Sequence, residues 1–106
     1  MSDATPWARV EVYKQSWGTR FWFLCPGCGG GHSFDCRTDG GSPSWQFVNG
    51  DVTAPTFHPS LNYPNPPRCH LWLRNGVLTF LGDCDHKLAG QTVPLEPLDP
   101  PWSNPT

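Results

Sequence analysis

The sequence predicts a small, β-rich single domain, and three observations carry that expectation. Thirteen prolines and eleven glycines interrupt the 106-residue chain too often for a helix of ordinary length. Two apolar runs flank Asn75-Gly76, the favoured pair for a two-residue hairpin turn. Two cysteines stand three positions apart in Cys25-Pro26-Gly27-Cys28-Gly29, a tight turn that aims both sulfurs at one point. Only 37% of the chain is hydrophobic, so the core is small, and chains of this size often add a metal or disulfides to it. Six Trp, six Phe and two Tyr offset part of that shortfall, since each ring buries a large area.

Along the chain, residues 8–15 alternate Val10 and Val12 against Glu11 and Lys14, which predicts a strand. Ser16-Trp17-Gly18 turns it into a second strand over 19–24 that runs into the cysteine turn, and a third short strand covers 32–36. Residues 38–44 are a loop by composition, and 45–48 form another short strand stopped by Asn49-Gly50-Asp51. Pro55 and Pro59 make 54–60 an extended or edge segment, and 64–67 is a second loop. In the 69–81 hairpin, a type I′ turn at Asn75-Gly76 pairs Arg74 with Val77, Leu73 with Leu78, Trp72 with Thr79, Leu71 with Phe80 and His70 with Leu81. Parity then puts Cys69, Leu71, Leu73, Leu78, Phe80 and Cys84 on one face, and His70, Trp72, Thr79, Leu81 and Asp83 on the other. The expected organisation is one domain over 1–95 and a proline-rich extended tail over 96–106.

Cys69 and Cys84, on one face at the open end of the hairpin, are placed to complete a tetrahedral site begun by Cys25 and Cys28. The preferred ligand set is Cys25, Cys28, Cys69 and Cys84, with His32 or His86 as the alternative fourth ligand. Four protein donors leave no position for water, so the ion, Zn2+, is structural, whereas three would leave room for an activated water; the fold is zinc-ribbon-like, with hairpins clamped by one metal. Cys36 is left over as a core or half-exposed thiol. Five cysteines, an odd number, fit metal ligation plus a spare thiol better than a disulfide framework, which points to a reducing cytoplasm. Residues 1–6 carry no secretory pattern and no stretch approaches the roughly 18 apolar residues of a membrane span. A net charge of −2 with seven scattered Lys and Arg argues against nucleic acid as a partner, and with it a nucleic-acid-binding ribbon.

Ser60 follows the stiff segment around Pro55 and Pro59, while His70 opens the hairpin strand on the face away from the cysteines and shares that face with Asp83. A serine, a base and a carboxylate that orients the base are the parts of an activated nucleophile. His58 and His86 compete as bases, and Asp85 competes as orienter. The plainer reading also stands: Ser60 bonding the backbone of a turn, and His70 a hydrogen-bonded wall residue.

Several motifs recur in order: residues 23–29 with both cysteines, His32, Trp45 and Phe47 before Asn49-Gly50-Asp51, Pro55-Thr56-Phe57 with Pro59-Ser60, Cys69-His70, the Asn75-Gly76 hairpin, and the run 81–93. Over residues 20–95 this set resembles a family of small zinc-binding proteins of tailed bacteriophages and bacteria. Its more divergent branch is similar to the BubE proteins of bacterial ubiquitin-like conjugation operons. The parts that recur in that branch, a cysteine turn, a Pro-Ser and a strand-opening histidine, fall here on Cys25 and Cys28, Ser60 and His70. Two departures stand out: Cys69 directly precedes His70, where that branch spaces them further apart, and the block Asp83-Cys84-Asp85-His86 belongs to the phage branch. Similar phage sequences sometimes bear the label ammonia monooxygenase, which a chain without a membrane span does not support.

The resemblance implies a peptidase-like role in which Ser60 and His70 act on a ubiquitin-like protein or its conjugates. Parity, not the resemblance, adds Asp83 to hold the imidazole, and the cysteine usage adds the cytoplasm (the host's, for a phage protein). The alternative is a zinc-stabilised protein-binding module without catalysis, gripping a partner with exposed Trp17, Trp22, Trp45 and Trp72.

Overall fold

A computed structural model describes residues 8–98. Within them the chain is all-β and antiparallel, and no helix is long and apolar enough to cross a membrane. Strands β1 (Glu11–Gln15), β2 (Gly18–Leu24) and β3 (Gly31–Arg37) form one sheet in that order. β4 (Gln46–Phe47) and β5 (Phe57–His58) make a short ribbon. β6 (Leu61–Tyr63), β7 (Cys69–Arg74), β8 (Val77–Phe80) and β9 (Thr92–Pro94) form the second sheet.

The β7–β8 hairpin has the register expected from its turn: Arg74 faces Val77, Leu73 faces Leu78, Trp72 faces Thr79 and Leu71 faces Phe80. Asn75 and Gly76 both take positive φ, 51° and 77°, as a type I′ turn requires. Leu81 N donates to His70 O, extending the pairing by one residue. Parity separates the faces: Cys69, Leu71, Leu73, Leu78, Phe80 and Cys84 are all buried, while His70, Trp72 and Thr79 are half-buried.

Alternation works the same way in the first sheet, where Phe21 and Phe23 of β2 and His32 and Phe34 of β3 turn inward. Phe57 of β5 is the keystone between the layers. Its ring stacks on Phe34 at 4.3 Å and on Phe47 at 4.9 Å, and tilts against Phe21 at 5.2 Å. Phe57→Ala is expected to cost about 3–5 kcal/mol of stability. Urea unfolding should show a lower midpoint at unchanged slope.

Two strands lie where the sequence reading assigned none. β6 is three residues between Pro59 and Pro64, too short to show a period. β9 ends on Pro94, which an edge strand tolerates because no ladder donor is needed there. The chain beyond Val93 docks at least as far as Leu98. Leu95 is buried, its N–H donates to Gly76 O, its carbonyl accepts from Arg9, and Leu98 N donates to Ala8 O. The remainder of the expected tail, 99–106, lies outside the described residues, as do residues 1–7 of the expected domain.

Two loops are closed by carboxylates. Asp39 receives two bonds from the Arg37 guanidinium at 3.0 and 2.9 Å, and Asp51 accepts from Thr53 Oγ1 at 2.6 Å and Thr53 N at 2.9 Å. Arg37 in the first case and Thr53 in the second hold these carboxyls below their ordinary range. A depressed folded value means that their contribution is complete above the ordinary carboxylate range, near 4, and is lost as pH falls through the folded values. Stability to urea should therefore decline below about pH 4, and Asp51→Asn should flatten that decline.

Candidate functional site

β7 carries two sets of chemistry on its two faces. On the buried face, Cys69 meets the cysteine turn that follows β2. That turn is closed by Gly29 N donating to Cys25 O and Cys25 N donating to Gly30 O, both at 2.9 Å, with Gly29 at φ 77°. β3 returns beside it and brings His32 inward, stacked on Tyr63 of β6 at 4.2 Å and edge-on to Phe23 at 5.7 Å.

One donor atom from each of Cys25, Cys28, His32 and Cys69 lies within 4.8 Å of every other, so these four residues can hold a metal ion. The closest approaches are Cys25 Sγ to Cys69 Sγ at 3.7 Å and Cys28 Sγ to His32 Nε2 at 3.2 Å. A tetrahedral zinc with ordinary bond lengths separates two sulfurs by about 3.8 Å and a sulfur from a nitrogen by about 3.5 Å. The donor set therefore fits such an ion in both identity and spacing. His32 is buried and its Nδ1 has no hydrogen-bond partner among the described residues, so the ring's polar engagement is toward the sulfurs.

The charge distribution fits as well. Cys25 is drawn down to about 3, chiefly by the hydrogen bond from Cys69, while Cys69 is pushed up by that same bond and by burial. Two buried sulfurs 3.7 Å apart repel as thiolates, and a divalent cation between them would relieve that repulsion.

Cys84 falls in a second group with Cys69 and His86. His86 Nε2 lies 3.5 Å from Cys69 Sγ, and His86 Nδ1 accepts from Leu88 N at 3.2 Å. That acceptor role places the ring hydrogen on Nε2, making His86 an N–H donor to the Cys69 sulfur. The ring packs edge-on to Phe80 and against Gly27, where a Cβ would come within 2.3 Å of His86 Cε1, so only glycine admits it. Cys36 belongs to neither group, and burial raises its thiol.

On the other face, His70 joins Ser60 to Asp83. Ser60 Oγ lies 3.2 Å from His70 Nε2, and His70 Nδ1 lies 3.1 Å from Asp83 Oδ2. Because a carboxylate only accepts, Nδ1 carries the hydrogen and Nε2 presents its lone pair to the serine hydroxyl. This is the tautomer a general base needs. Asp83 is held below the ordinary carboxyl range, first by His70 and then by Arg68, so it is anionic at neutral pH. The competing candidates stand elsewhere: His58 is exposed and edge-on to Trp72, and Asp85 Oδ2 accepts from Arg68 N at 2.7 Å.

Three supports of this arrangement escaped the sequence reading. Arg68 Nη1 reaches Asp83 Oδ2 at 3.1 Å; as the residue two before His70, Arg68 shares its face, a signal the parity argument already contained. Trp45 Nε1 donates to Ser60 O at 3.3 Å, and Cys84 Sγ meets the backbone of His70. Among the described residues the other tryptophans are half-buried: Trp17 lies between the guanidinium groups of Arg20 and Arg37, Trp72 lies under Arg74, and the Trp22 ring covers Gly31.

A family model described as a bacterial ubiquitination-like system serine protease (BubE) matches residues 2–81. No curated protein and no solved structure matches the chain.

Proposed function

The chain belongs to the BubE family, and from that premise we propose that it is a serine peptidase whose nucleophile is Ser60, with substrates drawn from a ubiquitin-like protein or its conjugates. The observation that carries this reading is the unbroken line Ser60–His70–Asp83, at 3.2 and 3.1 Å, with the imidazole in the tautomer of a base. His70 Nε2 takes the hydroxyl proton as Oγ attacks the acyl carbon, and Asp83 stabilises the imidazolium that forms. Collapse of the tetrahedral intermediate transfers that proton to the leaving amine and leaves an acyl-serine. Water, deprotonated by the same imidazole, then releases the acid and restores the hydroxyl. The family match ends before Asp83, so its role here rests on geometry.

Zn2+ is the ion proposed for Cys25, Cys28, His32 and Cys69, a closed set of four donors that makes it structural. His32 is preferred to Cys84 and His86 as the fourth ligand because its Nε2 faces the sulfurs of the turn, whereas His86 directs an N–H at Cys69. Reduced thiols of this kind suit a cytoplasmic protein.

The test is labelling with a fluorophosphonate probe, followed by incubation with candidate ubiquitin-like precursors and mass spectrometry of the products. Ser60 should carry the probe, and precursor cleavage should stop in Ser60→Ala. Labelling that persists in Ser60→Ala would move the nucleophile elsewhere. The binding-module alternative named four exposed indoles, and these are half-buried.

A further inference from the structure

Cys84 is a buried cysteine that the four-donor cluster does not use. Its sulfur lies 3.3 Å from His70 N and 3.2 Å from His70 O. The first contact is an N–H donating to sulfur. The second brings sulfur against a carbonyl oxygen, which attracts only if the sulfur carries its hydrogen, because a bare thiolate facing that oxygen would be repelled. A thiol makes both bonds at once, and a metal-bound thiolate makes only the first.

Cys84 also closes a short turn, its N–H donating to Leu81 O at 3.2 Å, and the residue before it in that turn is Asp83. One rigid turn thus sets a carboxylate on the imidazole of His70 and a thiol on the backbone of the same residue. Next along the chain, Asp85 N donates to Arg68 O at 2.9 Å and Asp85 Oδ2 accepts from Arg68 N.

We infer that Cys84 is a positioning residue for the base: its thiol clamps the His70 backbone so that the imidazole stays in line between Ser60 and Asp83, and it binds no metal. This rests on the peptidase reading for its consequence, though not for its geometry. Displacing a reacting group by about 1 Å can cost on the order of a hundredfold in rate. Serine, smaller than cysteine but able to donate and accept, should restore much of the clamp.

The experiment compares Cys84→Ala and Cys84→Ser with the unaltered protein in three ways. Native mass spectrometry should find one zinc per chain in all three. Amide hydrogen exchange at His70 should accelerate at least tenfold in Cys84→Ala and recover in Cys84→Ser, while Leu73 and Leu78 stay protected, which also verifies folding. The maximal rate of fluorophosphonate labelling at Ser60 should fall about 10- to 100-fold in Cys84→Ala at unchanged probe affinity, and recover in Cys84→Ser. Zinc loss in either variant would make Cys84 a ligand and overturn the inference. So would His70 exchange and labelling unchanged in Cys84→Ala. Absence of Ser60 labelling in the unaltered protein would instead sink the peptidase reading, leaving zinc content and exchange to decide the clamp on their own.

Discussion

Ser60→Ala and His70→Ala are each expected to reduce precursor cleavage by about 10⁴-fold or more, and the double variant by little beyond either single one. The non-additivity is the diagnostic part. Serine and imidazole act as one device, the 3.2 Å contact being the path of the proton, so removing either end disables the other. Both variants should unfold close to the unaltered protein, because neither side chain is fully buried. Asp83→Asn should also lower the rate, because it leaves the Arg68 cation uncompensated near the imidazolium that forms and offers His70 Nδ1 an amide that can turn its N–H toward the ring and favour the wrong tautomer. Rates measured on one precursor for the three singles and the Ser60/His70 double variant would settle the assignment. Two losses that multiply would show that serine and histidine act separately.

The second large effect concerns folding. Cys25→Ser, or a strong chelator, is expected to unfold the domain. A structural zinc contributes on the order of 10 kcal/mol, comparable with the 5–15 kcal/mol that stabilises an ordinary domain. Here the ion would join the cysteine turn, β3 and β7, three segments that otherwise meet through a modest core. Without it, Cys25 and Cys69 face each other at 3.7 Å with no cation between them and the alignment of the two sheets weakens. Circular dichroism with and without chelator, and native mass spectrometry of Cys25→Ser, would measure this. A metal-free chain with unchanged melting would remove the ion from the account of the fold.

How much of this was legible in advance depends on how local the determining physics is. The 69–81 hairpin could be read to the residue because Asn75-Gly76 admits essentially one turn, and a turn type fixes a register. That register put Cys69 and His70 on opposite faces and brought His70 and Asp83 to the same side, and both features are present. Parity states which face a residue occupies and not which neighbour it meets. Cys84 is buried as its face requires, but the Leu81–Cys84 turn directs its sulfur back onto β7 and leaves His32 beside the cysteine turn. β6 and β9 were illegible for a different reason: at three residues each and flanked or ended by proline, they exist because a longer strand templates them.

The adjacency of Cys69 and His70 has a consequence for how this protein can vary. Neighbouring residues on opposite sides of a strand trade places when that strand slides by one position. A single-residue deletion within Cys69–Arg74 would push the imidazole into the interior and expose the sulfur to water, disabling two unrelated chemistries with one lesion. The proline-rich connection over 64–67 is exposed and should take an insertion at lower cost, because β7 is also held in register from its other side by β8. Tolerance to insertion should therefore change abruptly within a few positions, from permissive before Arg68 to lethal just after it.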